Sequence, residues 1–209
     1  FCPGADIKID RPDERPEGVP EYVVGERRRM MLQGQLQLMP AILDCEIPII
    51  AAVNGTAAGI GAHLALCCDL VIMAENAKFI EVFARRGLVP DGLGCWILPR
   101  LVGLQRAKEL VFFGDDLPAA DALRLGLVNK VVPAAQLDDA VEAMCATLAS
   151  RSPIVMRLGK DSFYAAEDMT MADSLAYLHA MLGMCLETED VVEGVTAFFQ
   201  KRDPVWKGR

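Results

Sequence analysis

Apolar positions divide this chain into a first part where strands and helices alternate and a later part that is helical. The opening "FCPGADIK" reads as the end of a buried strand turning into a loop. Residues 9–21, "IDRPDERPEGVPE", hold three prolines among many charges and predict a loop. Leu32, Leu36, Met39 and Leu43 recur at three-to-four spacing, which predicts a helix over 22–43 with a kink near Pro40. Short apolar runs at 47–53, 70–74 and 78–82 predict buried strands, the first expected to be parallel and ending at Asn54-Gly55. Helical patterns follow at 58–68, 92–101, 105–113 and 119–125, with Gly126 as a stop and a short strand at 127–132. Beyond Pro133 the pattern is helical throughout, over 137–150, 153–166, 171–187 and 190–201. The class is therefore α/β, with a core over 1–140 and a helical C-terminal region over 141–209.

Charge and cysteine content narrow the partners. A net charge of −8 argues against nucleic acid or an anionic membrane surface as the main partner. It leaves room for a small anionic ligand held by local cations. The basic end "KRDPVWKGR" is either such a patch or a solvated tail. Seven cysteines form no CxxC and sit mostly among apolar neighbours, so they read as small core residues in a reducing compartment. His63 and His179 are the only histidines and no ligand cluster surrounds them, so no metal is expected. No apolar run reaches membrane-spanning length, and with no targeting segment visible a cytoplasmic location is expected.

The stretch "NGTAAGIGAHL" follows a strand and opens a helix. Unpaired backbone N–H groups at such a turn, approached closely through glycine, suit an anion or an oxyanion. One reading is a dinucleotide site, with Gly59-Ile60-Gly61 as GxG and Glu75 as the ribose acid. Against it, five residues separate Val53 from the GxG, and Leu64 stands where a third glycine belongs.

The other reading comes from a resemblance. "FCPGADIK", "PIIAAVNGTAAGIGAHLALCCDL", "AKF", "GLVPDG", "LPRLVG", "LGLVNKVVP" and "EGVTAFFQKRDPVWKGR" run in the order found in the crotonase superfamily, which includes enoyl-CoA hydratases and isomerases. The chain resembles that superfamily over nearly its whole length. The resemblance implies a crotonase-like spiral of ββα units with a helical C-terminal trimerisation region. It implies further strands and a helix before residue 1, so the core is expected to be N-terminally incomplete. The substrate implied is an acyl-CoA thioester, with coenzyme A entering as part of the substrate and no separate cofactor. A homotrimer or a dimer of trimers is implied as the assembly.

Residue by residue, the resemblance makes the N–H groups of Ala5 and Ile60 the two donors of an oxyanion hole. It places the adenine of CoA along Ala5, Asp6, Ile7 and Lys8. The two glutamates of the family's hydratases fall at His63 and Phe83, so both acids are absent. Asp91, in "VPDG", matches a working aspartate of some isomerases and a nucleophilic one of some dehalogenases; its ordinary alternative is a helix N-cap. Phe83, Leu88, Leu93 and Trp96 are expected to wall the acyl pocket. His63 is either a second acid or base or a structurally bonded histidine. Glu81 is a spare acid, Arg85 and Arg86 read as surface residues, and Asp69 reads as a structural group at a helix-to-strand turn. The reaction implied is double-bond isomerisation through a thioester enolate, with Asp91 as acid and base. Three alternatives stay open: a hydratase with atypical groups, a hydrolase or dehalogenase using Asp91 as nucleophile, and a non-catalytic CoA-ester-binding protein.

Overall fold

A computed structural model of the chain describes residues 1–6, 17–18 and 24–209. Two three-stranded sheets form its core. The first has the order β1-β3-β6 and is wholly parallel, built from β1 (Ile50–Val53), β3 (Leu70–Ala74) and β6 (Lys130–Val132). The second has the order β2-β4-β5, from β2 (Ala57–Ala58), β4 (Lys78–Ile80) and β5 (Asp116–Pro118); β2 runs parallel to β4 and β5 antiparallel. Cys2 makes a parallel bridge to Ala57, so the chain's first residues extend this second sheet. Val53, Ile72, Met73 and Ala74 are buried almost completely, as expected for short apolar strands covered on both faces.

Most predicted elements are present with ends moved by one to three residues. Helices α3 (Ile60–Leu66), α4 (Gly94–Val102), α5 (Leu104–Phe113) and α6 (Ala119–Arg124) lie among the strands. Helices α7 (Leu137–Ala149), α8 (Pro153–Glu167), α9 (Met171–Leu186) and α10 (Glu189–Gln200) complete the chain. Two strands were not anticipated: β2 and β5 are too short to show a period, and only their pairing with β4 defines them. The predicted first helix is two helices, α1 (Glu26–Gln33) and α2 (Gln35–Leu43). The break falls at Gly34 (φ −121°, ψ −96°), while Pro40 sits inside α2. Glycine gives up the most backbone freedom in a helix, and the chain interrupts there.

Asp69 has the structural role expected of it. Its carboxylate accepts from Ile49 N–H (2.7 Å), Lys160 Nζ (2.8 Å) and Tyr164 Oη (3.3 Å). Lys160 also donates to the carbonyls of Ile42 and Ile47, so one buried ammonium ties α8 to α2 and to the approach of β1. The cysteines, expected mostly in the core, are spread more widely: Cys67 is buried, Cys2, Cys45, Cys68 and Cys185 are half-buried, and Cys95 and Cys145 are exposed. All seven are free thiols, and burial pushes Cys67 up to about 12 and Cys68 up to about 11. Such thiols hold their protons and make poor nucleophiles.

The basic C-terminus is neither a solvated tail nor an open cationic patch. Asp190, 2% exposed, accepts from Ser152 Oγ (2.7 Å), Lys207 N–H (2.7 Å) and Gly208 N–H (3.2 Å). Trp206 donates to the Ser150 carbonyl, and Glu189 N–H donates to the carbonyl of Arg209. Three of the tail's four cations are paired: Arg202 with Glu193, and Lys207 and Arg209 with Glu189. The tail is a strap across α10.

Acid should loosen this strap. The Glu193 carboxyl is held down at about 2, first by hydrogen bonds from Arg202 and then by the Val205 N–H. Burial alone would raise the Asp190 carboxyl, but hydrogen bonds from Lys207, Ser152 and Gly208 outweigh it and hold the group below its ordinary value. A depressed carboxyl stabilises the fold above its unfolded value and loses that effect as pH falls through its folded value. Unfolding by urea at a series of pH values should show a stability loss between pH 4.5 and about 2 that Glu193→Gln reduces. An unchanged pH profile in that variant would contradict the assignment.

Candidate active site

The site begins with two glycine turns. Gly4 has φ +101°, and a Cβ there would lie 2.8 Å from the Ala58 carbonyl oxygen. Both the backbone conformation and the close approach require glycine at this position. Gly59 has φ +55° and its N–H donates to the Ile80 carbonyl, which fixes the turn from β2 into α3. A Cβ at Gly61 would collide with the Cys2 carbonyl. That glycine therefore serves the close packing of the segment at Cys2 on α3. Glu75 is exposed, with its N–H bonded to the Val132 carbonyl. Neither residue supports the dinucleotide reading.

Ile60 is the first residue of α3, where a helix N–H has no intrahelical acceptor. Among the described residues, neither the Ile60 N–H nor the Ala5 N–H donates to a backbone carbonyl. Both residues line one cavity of about 610 Å³. Pro3, Gly4, Asp6, Phe83, Leu88 and Asp91 line it as well. Its surface is mostly apolar, with charge supplied by Asp6, Asp91 and Arg86. A cavity of this size suits an acyl group held by a few placed polar atoms.

The structure thus brings Ala5, Ile60, Asp91, Phe83 and Leu88 together, as the sequence suggested, with Asp6 at the same cavity. Ile7 and Lys8 lie outside the described residues. Two expected wall residues are elsewhere. Leu93 and Trp96 are not among the cavity's lining residues; both pack partly buried against the core, and the Trp96 ring carries the Arg100 guanidinium at 4.0 Å. Leu93, with φ +65°, is itself the N-cap of α4. Asp91 is therefore not the helix cap; it sits two residues earlier, in the turn that enters α4. Arg86, expected only at the surface, is exposed and also lines the cavity. Arg85 instead donates to the Gly114 carbonyl.

Of the two readings of His63, its place in the structure is that of the bonded histidine. It is 0% exposed and does not line the cavity. Its ring stacks on Phe83 with centroids 5.0 Å apart and planes 8° from parallel. Its Nε2 lies 3.0 Å from Glu81 Oε2, and Glu81 is 5% exposed. The two positions implied for hydratase glutamates are thus a stacked pair of rings. Phe83 lines the cavity, whereas His63 and Glu81 do not, and the His63 Nε2 is engaged by Glu81. Glu81 points into the core and not into the cavity. Its pairing was missed because nothing in the spacing of residues 63 and 81 marks them as neighbours. The readable signal was a histidine inside an otherwise apolar helix, which needs an acceptor.

Comparison with known proteins now decides the family. The family model described as "Enoyl-CoA hydratase/isomerase" matches residues 1–209. The chain belongs to the enoyl-CoA hydratase/isomerase family. A probable enoyl-CoA hydratase of Rhodobacter capsulatus is 38% identical over 210 residues, covering 100% of this chain and 77% of that protein. A carnitinyl-CoA dehydratase of Salmonella agona is 38% identical over 172 residues, covering 80% of this chain and 66% of that protein. The structure is similar to that of an enoyl-CoA hydratase from Mycobacterium smegmatis, with a TM-score of 0.86 at 30% identity over 99% of this chain and 76% of the other. The enoyl-CoA hydratase of Bacillus anthracis gives a TM-score of 0.83 at 33% identity over 92% of this chain and 73% of the other. The α/β core with a helical C-terminal region is thus the crotonase fold. Within this enoyl-CoA hydratase/isomerase family member, His63 and Phe83 stack, and among the described residues Asp91 and Asp6 are the carboxylates that line the cavity. Among the described residues, no group of three or more histidine, cysteine or acidic side chains is placed to hold a metal ion, and no helix is long and apolar enough to cross a membrane.

Proposed function

We propose that this protein binds an acyl-CoA thioester and moves a double bond along the acyl chain through an enolate. The observation that carries this reading is the meeting of Ala5, Ile60 and Asp91 on one mostly apolar cavity. The two backbone N–H groups hold the thioester oxygen. The Asp91 carboxylate takes a proton from the acyl chain, and the electron pair moves through the conjugated system onto that oxygen. Charge develops there in the transition state, so two fixed donors stabilise it more than the ground state. The same carboxyl, now protonated, returns the proton at a different carbon and the double bond shifts. Coenzyme A enters as part of the substrate. In this reading Asp6, beside Ala5, contacts its adenine end.

A second reading, hydration or dehydration, is favoured by the names of the relatives. It passes through the same enolate and additionally moves a water. One incubation of enoyl-CoA esters in heavy water separates the two. Deuterium uptake with no gain of water supports isomerisation, and a product heavier by one water supports hydration. The apolar faces on the last helices, with Phe163, Met171, Phe198 and Phe199 exposed, support assembly of this chain into a homotrimer or a dimer of trimers.

The oxyanion donor can be tested by removing its hydrogen. Ile60 is the first helical residue of α3, a position where proline is tolerated. Ile60→Pro is expected to lower turnover by about 10²–10³-fold, the effect of losing one such donor. Circular dichroism would check the fold, and unchanged turnover in a folded variant would remove Ile60 from the hole.

A further inference from the structure

Behind the cavity wall lies a buried polar pair that the proposed mechanism does not use. His63 and Glu81 are 0% and 5% exposed and meet at 3.0 Å. Their surroundings are unusual in what touches the imidazole. Phe83 stacks on one face. On the side of the Asp91 turn, a Cβ at Gly92 would lie 2.9 Å from His63 Nδ1, and a Cβ at Gly94 would run into Nε2. The ring therefore fills the gap between Phe83, which lines the cavity, and the turn that carries Asp91. Two glycines are what let the turn close on it. His63 Nδ1 is buried with no hydrogen-bond partner among the described residues. With Glu81 accepting at Nε2, one edge of the imidazole is fixed and the other abuts the backbone of Gly92.

We propose that His63 and Glu81 form a positioning pair for Asp91. The inference rests on the reading of Asp91 as the proton carrier. Glu81 holds the ring in one orientation, and the ring in turn sets how close the turn from Pro90 to Leu93 sits to Phe83 and so to the cavity. A short carboxylate has little reach of its own, so its distance from the acyl carbon is decided by that turn. Misplacing a reacting group by about 1 Å costs on the order of 10²-fold in rate. The tight spacing of Gly92 and Gly94 against the ring leaves no slack to absorb a rotated imidazole. Purely structural burial would predict lost stability; a positioning role predicts lost turnover in protein that still binds.

The test measures kcat and KM for deuterium exchange into an enoyl-CoA ester in four full-length variants. Glu81→Ala removes the acceptor and is expected to lower kcat by about 10- to 100-fold while KM changes less than about threefold. Glu81→Gln keeps a carbonyl acceptor and is expected to recover most of the loss. In proton NMR the protected His63 Nε2–H signal should be present in the wild type, absent in Glu81→Ala and restored in Glu81→Gln. Gly92→Ala presses on the ring from the turn and should also lower kcat; it carries the test if Glu81→Ala does not fold. Full turnover in folded Glu81→Ala or Gly92→Ala, with Asp91→Asn inactive, overturns this inference alone. Full turnover in Asp91→Asn overturns the reading it rests on as well.

Discussion

Asp91→Asn is expected to lower deuterium exchange into an enoyl-CoA ester by about 10²–10⁴-fold, the usual contribution of a positioned acid or base. The variant keeps the size and shape of the side chain and removes its ability to accept a proton. It does not remove a helix cap, because Leu93 occupies that position and makes no side-chain cap bond. Of the carboxylates at the cavity, Asp6 belongs to the same turn as Ala5, while Asp91 arrives on a separate segment with Phe83 and Leu88. A base on a segment separate from the oxygen-holding turn can approach the acyl chain beyond the thioester. Exchange would be followed by mass spectrometry over a panel of esters. Exchange at the wild-type rate in Asp91→Asn would end the assignment of Asp91 as the proton carrier. Loss of exchange together with an ester adduct on Asp91 in the wild type would instead favour a nucleophilic role.

Lys160→Met should cost about 3–5 kcal/mol of stability, the price usually seen when one partner of a buried ion pair is removed. The Lys160 side chain is 3% exposed and that of Asp69 is 16% exposed. Methionine fills much of the same volume, so the loss is electrostatic and not a cavity. Asp69 would keep the Ile49 N–H and the Tyr164 hydroxyl but lose its cation. The Ile42 and Ile47 carbonyls would lose their donor as well. Calorimetry should find the melting temperature lowered by roughly 6–20 °C. A change below about 1 kcal/mol would mean that water reaches Asp69 and replaces the ammonium.

The turn chemistry was the most legible part of the site. Gly4 and Gly59 take positive φ, and "GAD" and "NGTAAGIG" therefore announce sharp turns before any fold is known. The family order of motifs then brought Ala5, Ile60 and Asp91 to one place, and the structure agrees. The wall was less legible. Phe83 and Leu88 line the cavity, whereas Leu93 and Trp96 do not, because the turn before α4 puts Leu93 in a left-handed conformation and packs it, with Trp96, against the core. A sequence records that a residue is apolar, but not which of two apolar surroundings it joins.

Local preference and hydrophobic period determined the order of strands and helices, because those depend on residues within a few positions of one another. The alternating core and the helical end could be read in that way, and so could the role of Asp69 at the turn between α3 and β3. Only the tertiary structure decided what depends on distant segments meeting. It paired β2 and β5 with β4, strands too short to carry a period. It strapped the basic C-terminus onto Glu189, Asp190 and Glu193. It brought Glu81 to His63 across 18 residues and Lys160 to Asp69 across 91. Each of these is a long-range contact whose partner is chosen by packing geometry and by the cost of leaving a buried polar group alone, and neither is written in the spacing of neighbouring residues.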